Sequence, residues 1–188
     1  MPRAVWIALP LLAVVALAGC SSPPPPPAAP PPMPMAAPPP PPPPAAPTAS
    51  SDREFINVAM SMNASEIGMG RLARGKAAGK PVKAFAGRMV ADHTRANQQL
   101  AGLAKRLKID AAPGHDEPPP ELAAASGPDF DKQYVAMTIK AHQDAIALYE
   151  SEANGGQDAH AKHLARSTLP ALRRHLHEAE ALGKKLGM

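Results

Sequence analysis

Along residues 51–188 the sequence predicts a single all-α domain, a bundle of four helices. Three observations carry this expectation. Apolar residues recur at intervals of three and four, the period of a helix with one buried face; no stretch alternates apolar with polar residues as a half-buried strand would; and clusters of Gly, Pro and Asn divide the chain into four segments of helix length.

The first helix opens at Ser51-Asp52-Arg53-Glu54, which has the spacing of a capping box, and Phe55, Ala59, Met62, Glu66, Met69 and Ala73 then share one face. Gly79-Lys80-Pro81 makes a tight turn, with Pro81 suited to the first position of the next helix, where no amide donor is needed. The second helix carries Val82, Phe85, Met89, His93, Ala96, Leu100, Leu103 and Leu107 on one stripe. Residues 109–127, rich in Pro and Gly, form the one long connection. The third helix starts at Ser126-Gly127-Pro128-Asp129 and presents Phe130, Tyr134, Met137, Ala141 and Leu148 beside a second row of Val135, Ile139, His142, Ile146 and Tyr149. After Asn154-Gly155-Gly156, Asp158 is placed to cap the fourth helix, whose inner face holds Leu164, Leu169, Leu172, His175, Leu176, Ala179, Leu182 and Leu186. Pro170 inside that helix removes one amide donor and frees the carbonyl of Arg166. Two tight turns and a long connection between the second and third helices give the layout of a ferritin-like four-helix bundle.

The segment ahead of the domain cannot join its core. Arg3 followed by the apolar run Val5 to Leu17 has the make-up of an export signal, and the run is shorter than the roughly 20 residues a membrane span needs. It ends in Leu17-Ala18-Gly19-Cys20, which resembles the lipobox of bacterial lipoproteins. The resemblance implies that residues 1–19 are a removed signal peptide and that Cys20 carries the lipid. Ser21, rather than Asp, after the cysteine favours the outer membrane, with the domain exposed to the periplasm. Cys20 is the one cysteine of the chain, so no internal disulfide can form even in an oxidising compartment. Residues 20–50 hold proline runs at Pro23–Pro27, Pro30–Pro32 and Pro38–Pro44 with Ala between them. That composition predicts a disordered spacer, able when extended as polyproline II to hold the domain on the order of 75 Å from its anchor.

Phe85-Ala86, Met89-Val90, Asp92-His93, Asn97 and Leu100, then Phe130-Asp131, Tyr134 and His142, then Leu169-Pro170, Leu172 and His175-Leu176 together resemble a bacterial domain family of unknown function whose members carry the label of outer membrane protein. The resemblance spans about residues 53–185 and implies a secreted, ferritin-like bundle. It implies no activity.

Glu66, His93, His142 and His175 each fall near the middle of their helix, on or beside its inward face. Glu66 and His93 are both about 12 to 13 residues, or roughly 19 Å, from the turn that joins their helices, and so share a level. His142 and His175 agree less well, by about one turn. Three imidazoles and a carboxylate converging there would suit one divalent transition metal: zinc, iron, manganese or copper. Asp92, Asp144 and Glu178 are the nearest groups to hydrogen-bond such ligands. A di-iron centre is not expected, because it needs Glu-x-x-His on two helices, and the residues three before His93, His142 and His175 are Val90, Ile139 and Leu172. The competing reading makes the same residues hydrogen-bonded polar groups of the core, His93 to Glu66 and His175 to the carbonyl freed by Pro170.

Lys and Arg number 20 against 16 Asp and Glu, with Arg71, Arg74, Lys76, Lys80 and Lys83 grouped around the first turn. Aromatic residues are only 3% of the chain, too few to stack bases, which excludes nucleic acid as a partner. A cell-wall polymer, an anionic lipid or another envelope protein suits the charge better. The chain shows no triad spacing and no phosphate loop, and its single cysteine is assigned to the lipid. The sequence therefore favours a membrane-tethered, non-catalytic binding or structural module of the cell envelope. A metal-binding or metal-dependent redox protein, using the Glu/His level inside the bundle, is the alternative.

Overall fold

The computed structural model describes residues 52–188. The expected signal peptide, Cys20 as the expected lipid carrier, the proline-rich spacer and Ser51 of the expected capping box lie outside the described residues. Within them the order is α1 (Asp52–Lys76), α2 (Lys80–Leu107), α3 (Pro120–Ala124), α4 (Gly127–Gly155) and α5 (Ala159–Lys185), with no strand among the described residues. None of these helices is long and apolar enough to cross a membrane.

The four long helices are those read from the sequence. α1 pairs with α2 and α4 with α5 as two hairpins, which then lie against each other through α1 on α4 and α2 on α5. Asp158 caps α5 as expected, its Oδ1 accepting from the amides of His160 at 2.8 Å and Ala161 at 3.1 Å. α5 runs on through Pro170.

Each hairpin turn is held by an aspartate from the other hairpin. The amides of Ala78 and Gly79, in the α1–α2 turn, donate to the two carboxylate oxygens of Asp131 on α4, at 2.9 and 2.7 Å. The amides of Gln157 and Asp158, in the α4–α5 turn, donate to the two oxygens of Asp52 on α1, at 2.8 and 3.0 Å. These bonds satisfy turn amides that have no partner within their own helices.

The long connection lies close along α1, and the approach needs glycine on both sides. A Cβ at Gly68 would sit 1.8 Å from the carbonyl oxygen of Asp116, and one at Gly114 would sit 2.6 Å from the Cα of Ser61. The connection also contains α3, a short helix where the Pro- and Gly-rich composition predicts none. Five residues behind a run of prolines give no helical period to read; what fixes α3 is Leu122, fully buried in one of the core clusters, and a hydrogen bond from the Lys76 ammonium to the carbonyl of Ala123.

The core has two apolar clusters. One, nearer the start of α1, gathers Phe55, Ile56, Leu100, Leu148, Tyr149 and Leu169. The other, nearer the α1–α2 turn, gathers Met69, Phe85, Met89, Phe130 and Tyr134. Met69, Met89 and Met137 pack with this second cluster and Met60 and Met62 with the first, as core filling. Asn63, Glu66, His93, Thr138, His142 and His175 are also buried, and they form a polar level on the four long helices.

Candidate metal centre

His93 enters the interior from α2, His142 from α4 and His175 from α5, each 4% exposed or less. Their ring centroids are 5.3, 5.8 and 5.5 Å apart. One ligating nitrogen from each lies within 4.8 Å of the other two. In a tetrahedral site with bonds of about 2.0–2.1 Å such nitrogens sit roughly 3.3 Å apart, so a small inward tilt of the rings would complete the geometry.

Hydrogen bonding settles which nitrogen of each ring carries the proton. His93 Nδ1 lies 2.8 Å from Asn63 Oδ1, and Asn63 Nδ2 donates in turn to Asn97 Oδ1 at 3.0 Å, which fixes the orientation of the Asn63 amide. His142 Nδ1 lies 2.9 Å from the carbonyl oxygen of Thr138. His175 Nε2 lies 3.1 Å from Asp92 Oδ2. All three partners accept only, so each of these nitrogens is the N–H donor. The opposite atoms, His93 Nε2, His142 Nε2 and His175 Nδ1, therefore carry lone pairs, and all three are buried without a hydrogen-bond partner.

Burial keeps the three imidazoles neutral. It lowers His93 to about 3, reinforced by His142 and His175, and His142 to about 4 against the opposing pull of its bond to Thr138. His175 is lowered too, by burial, although its contact with Asp92 works the other way. Neutral imidazole is the form that ligates.

Glu66 stands beside this group rather than in it. Its Oε1 is 3.9 Å from His142 Nδ1, the nitrogen already committed to Thr138, and it is not one of the three mutually close ligands. Both of its carboxyl oxygens are buried without a hydrogen-bond partner, and desolvation raises its pKa to about 8, so the group is a neutral acid at pH 7.

Of the three supporting residues expected from sequence, only Asp92 takes the role. Asp144 is bound to the Lys140 ammonium one turn before it on α4, and Glu178 pairs with Arg88 at 2.8 Å. The two hydrogen bonds of the competing reading are replaced as well, since His93 binds Asn63 and not Glu66, and His175 binds Asp92 and not the carbonyl freed by Pro170. Asn63 and Thr138 were missed. Asn63 had a positional signal, lying one turn before Glu66 on the same face, whereas Thr138 acts through its backbone carbonyl one turn before His142, which its residue type does not announce. His115, His160, His163 and His177 are exposed, as their polar surroundings imply.

Fold and site together define a four-helix bundle with a buried three-histidine cluster at mid-height. The chain belongs to the family described as a domain of unknown function, DUF4142, whose pattern matches residues 37–182. No curated protein matches it. Among solved structures it is similar to a DUF305 protein of Streptomyces coelicolor, described as a secreted protein, with a TM-score of 0.62 at 13% identity over 74% of this chain and 96% of that one. A DUF305 fragment from Deinococcus radiodurans is similar to the same degree, with a TM-score of 0.62 at 15% identity over 73% of this chain and 99% of that one. At such identities the likeness is one of fold, and it supports the helical bundle.

Proposed function

We propose that this is an envelope-tethered domain that binds one divalent transition metal through His93 Nε2, His142 Nε2 and His175 Nδ1. The observation that carries the reading is the pairing of roles within each ring: one nitrogen is fixed as a donor to an acceptor-only group and the other is left buried and unpartnered, in three rings that each offer a nitrogen within 4.8 Å of the other two. Metal-binding histidines are oriented in this way, by a carboxylate, carbonyl or amide oxygen on the far nitrogen. A purely structural role leaves three buried lone pairs unsatisfied, each at the expense of roughly 1–3 kcal/mol. The ligand set suits zinc, copper, iron or manganese, and three protein ligands leave a position open. Cys20 supplies the tether, a reading supported by the apolar run and the Leu17-Ala18-Gly19-Cys20 stretch, with the outer membrane and a periplasmic domain as its setting. The exposed Arg74, Lys80 and Lys83 near the first turn support an anionic envelope polymer or envelope protein as neighbour.

The test is metal analysis of the full chain purified in detergent, together with thermal unfolding in the presence of each ion. Expected is about one metal per chain, and a melting temperature that climbs with ion concentration, since a ligand selective for the folded state stabilises it by mass action. The climb should vanish in His93→Leu. Absence of any rise with zinc, copper, iron and manganese alike would overturn the reading.

A further inference from the structure

Glu152, near the end of α4, is 2% exposed, and its Oε1 is buried without a hydrogen-bond partner. It stands ten residues beyond His142, about 15 Å along the same helix, and takes no part in the histidine level. Its carboxyl group is wedged against the α4–α5 turn: no room remains for a Cβ at Gly156, whose amide donates to the Glu152 carbonyl at 2.9 Å. On its other side it meets Asp52, the aspartate at the start of α1 that accepts from the amides of Gln157 and Asp158. We propose that Glu152 and Asp52 share one proton and act as a pH-sensitive latch, which fastens the first turn of α1 to the α4–α5 turn while the proton is held and loosens once it is lost.

Two carboxyl groups in contact cannot both be charged without repulsion, and their surroundings decide which one keeps the proton. Asp52 is the charged partner. Two amides donate to it, and it sits in the first turn of α1, at the positive end of the helix dipole. Glu152 is the protonated one: burial, then the hydrogen bond and charge of Asp52, push it up to about 7, with Asp158 of the turn adding to the push and Lys162 of α5 opposing it. Asp158 is itself engaged by the amides of His160 and Ala161 and faced by Arg106 of α2. Once released from the turn, Glu152 would titrate near 4.5, so the latched form binds more protons between 4.5 and about 7, and its grip weakens as the pH rises across that window. The place gives the latch its consequence. Residues 20–50, the expected spacer, lead into α1 at Asp52, so the latch sets whether the first turn of α1 is held to the second hairpin or left to follow the spacer.

The turn at the other end of the bundle supplies the control, because Asp131 holds the amides of Ala78 and Gly79 in the same way. Hydrogen exchange of these four amides, read by NMR on the full chain in detergent from pH 5 to 8 and expressed as protection factors, provides the test. Protection at Gln157 and Asp158 should fall roughly tenfold or more relative to Ala78 and Gly79, and the carboxyl carbon of Glu152 should titrate with the same midpoint, near 7. Glu152→Gln keeps a donor toward Asp52 but cannot titrate, and should hold the ratio of the two pairs constant across the range. A wild-type ratio that does not change with pH overturns the latch, whether or not the variant folds. A fall that persists undiminished in Glu152→Gln, or a Glu152 carboxyl that titrates near 4.5, overturns Glu152 as its source.

Discussion

Near the start of α1, Phe55 meets Tyr149 edge-on with centroids 5.0 Å apart, among Ile56, Leu100 and Leu148, none more than 3% exposed. Further along the same helix Glu66 is as deeply buried, and neither of its oxygens has a hydrogen-bond partner. The first region is built for stability: a large side chain fully buried among apolar neighbours stabilises by about 1.5–3 kcal/mol. The second lowers it, because buried polar atoms without partners lose their hydration and gain nothing for it. A bundle this size could close its middle with leucine. That it places three imidazoles and a carboxyl group there marks the polar level as the part shaped by something other than folding.

The sharpest contrast should come from cutting each region in turn. Phe55 is fully buried and edge-on to Tyr149 at 5.0 Å, so Phe55→Ala should cost about 3–5 kcal/mol in chemical denaturation, among the largest losses any single truncation here will give. A comparable loss from truncating Glu66 would erase the distinction between the two regions.

Glu66→Gln should go the other way. Folding holds a proton on Glu66 up to about pH 8 that the unfolded chain releases near its ordinary value of 4.5, so the folded state binds more protons between these values and stability falls as pH rises. The imidazoles have the opposite sign. His93 and His142 stay neutral down to about 3 and 4, so stability falls as pH drops below their unfolded value of 6.5. The metal-free chain should be most stable near pH 6.5, and Glu66→Gln should raise its melting temperature on the alkaline side, by the equivalent of a few kcal/mol at pH 8, while leaving the acid limb in place. Melting curves from pH 4 to 9 decide the matter; an alkaline limb as steep in the variant as in the wild type would mean that Glu66 does not hold its proton.

A smaller effect is expected one step out from the rings. Asp92→Asn keeps the size of the side chain but removes the charge that orients His175, and should weaken metal binding about 10- to 100-fold with little change in the stability of the metal-free chain. Equal affinity in variant and wild type, measured by competition with a chelator, would separate Asp92 from the centre.

What the sequence offers toward the cluster is direction and approximate height: the apolar stripe turns His93 inward, and counting from the turns sets it level with Glu66, while the same count leaves His142 and His175 about one turn apart. The partners of the three rings were not legible, for geometric reasons. Thr138 contributes a backbone carbonyl, which no residue type announces. Asp92 precedes His93 in sequence but serves His175 across the seam, and only the packing of α2 on α5 reveals it. Asp144 is two residues past His142, which turns it to the far side of α4, and Glu178 reaches outward to Arg88. Glu66 shares the height of His93, yet its Oε1 stands 3.9 Å from His142 Nδ1 and outside the group of three mutually close ligand atoms.

The two aspartates that hold the hairpin turns act on more than local order. Asp131 grips one hairpin at the α1–α2 turn and Asp52 grips the other at the α4–α5 turn, at opposite ends of the bundle. Sliding one hairpin lengthwise against the other stretches both pairs of bonds. An apolar interface alone tolerates such slip, since one leucine can replace another in a groove, but an α-helix rises about 1.5 Å per residue, and a slip of even one residue would carry His93 out of step with His142 and His175. Asp52 and Asp131 are thus end stops, and the alignment of three imidazoles halfway between them is set from the tips of the molecule.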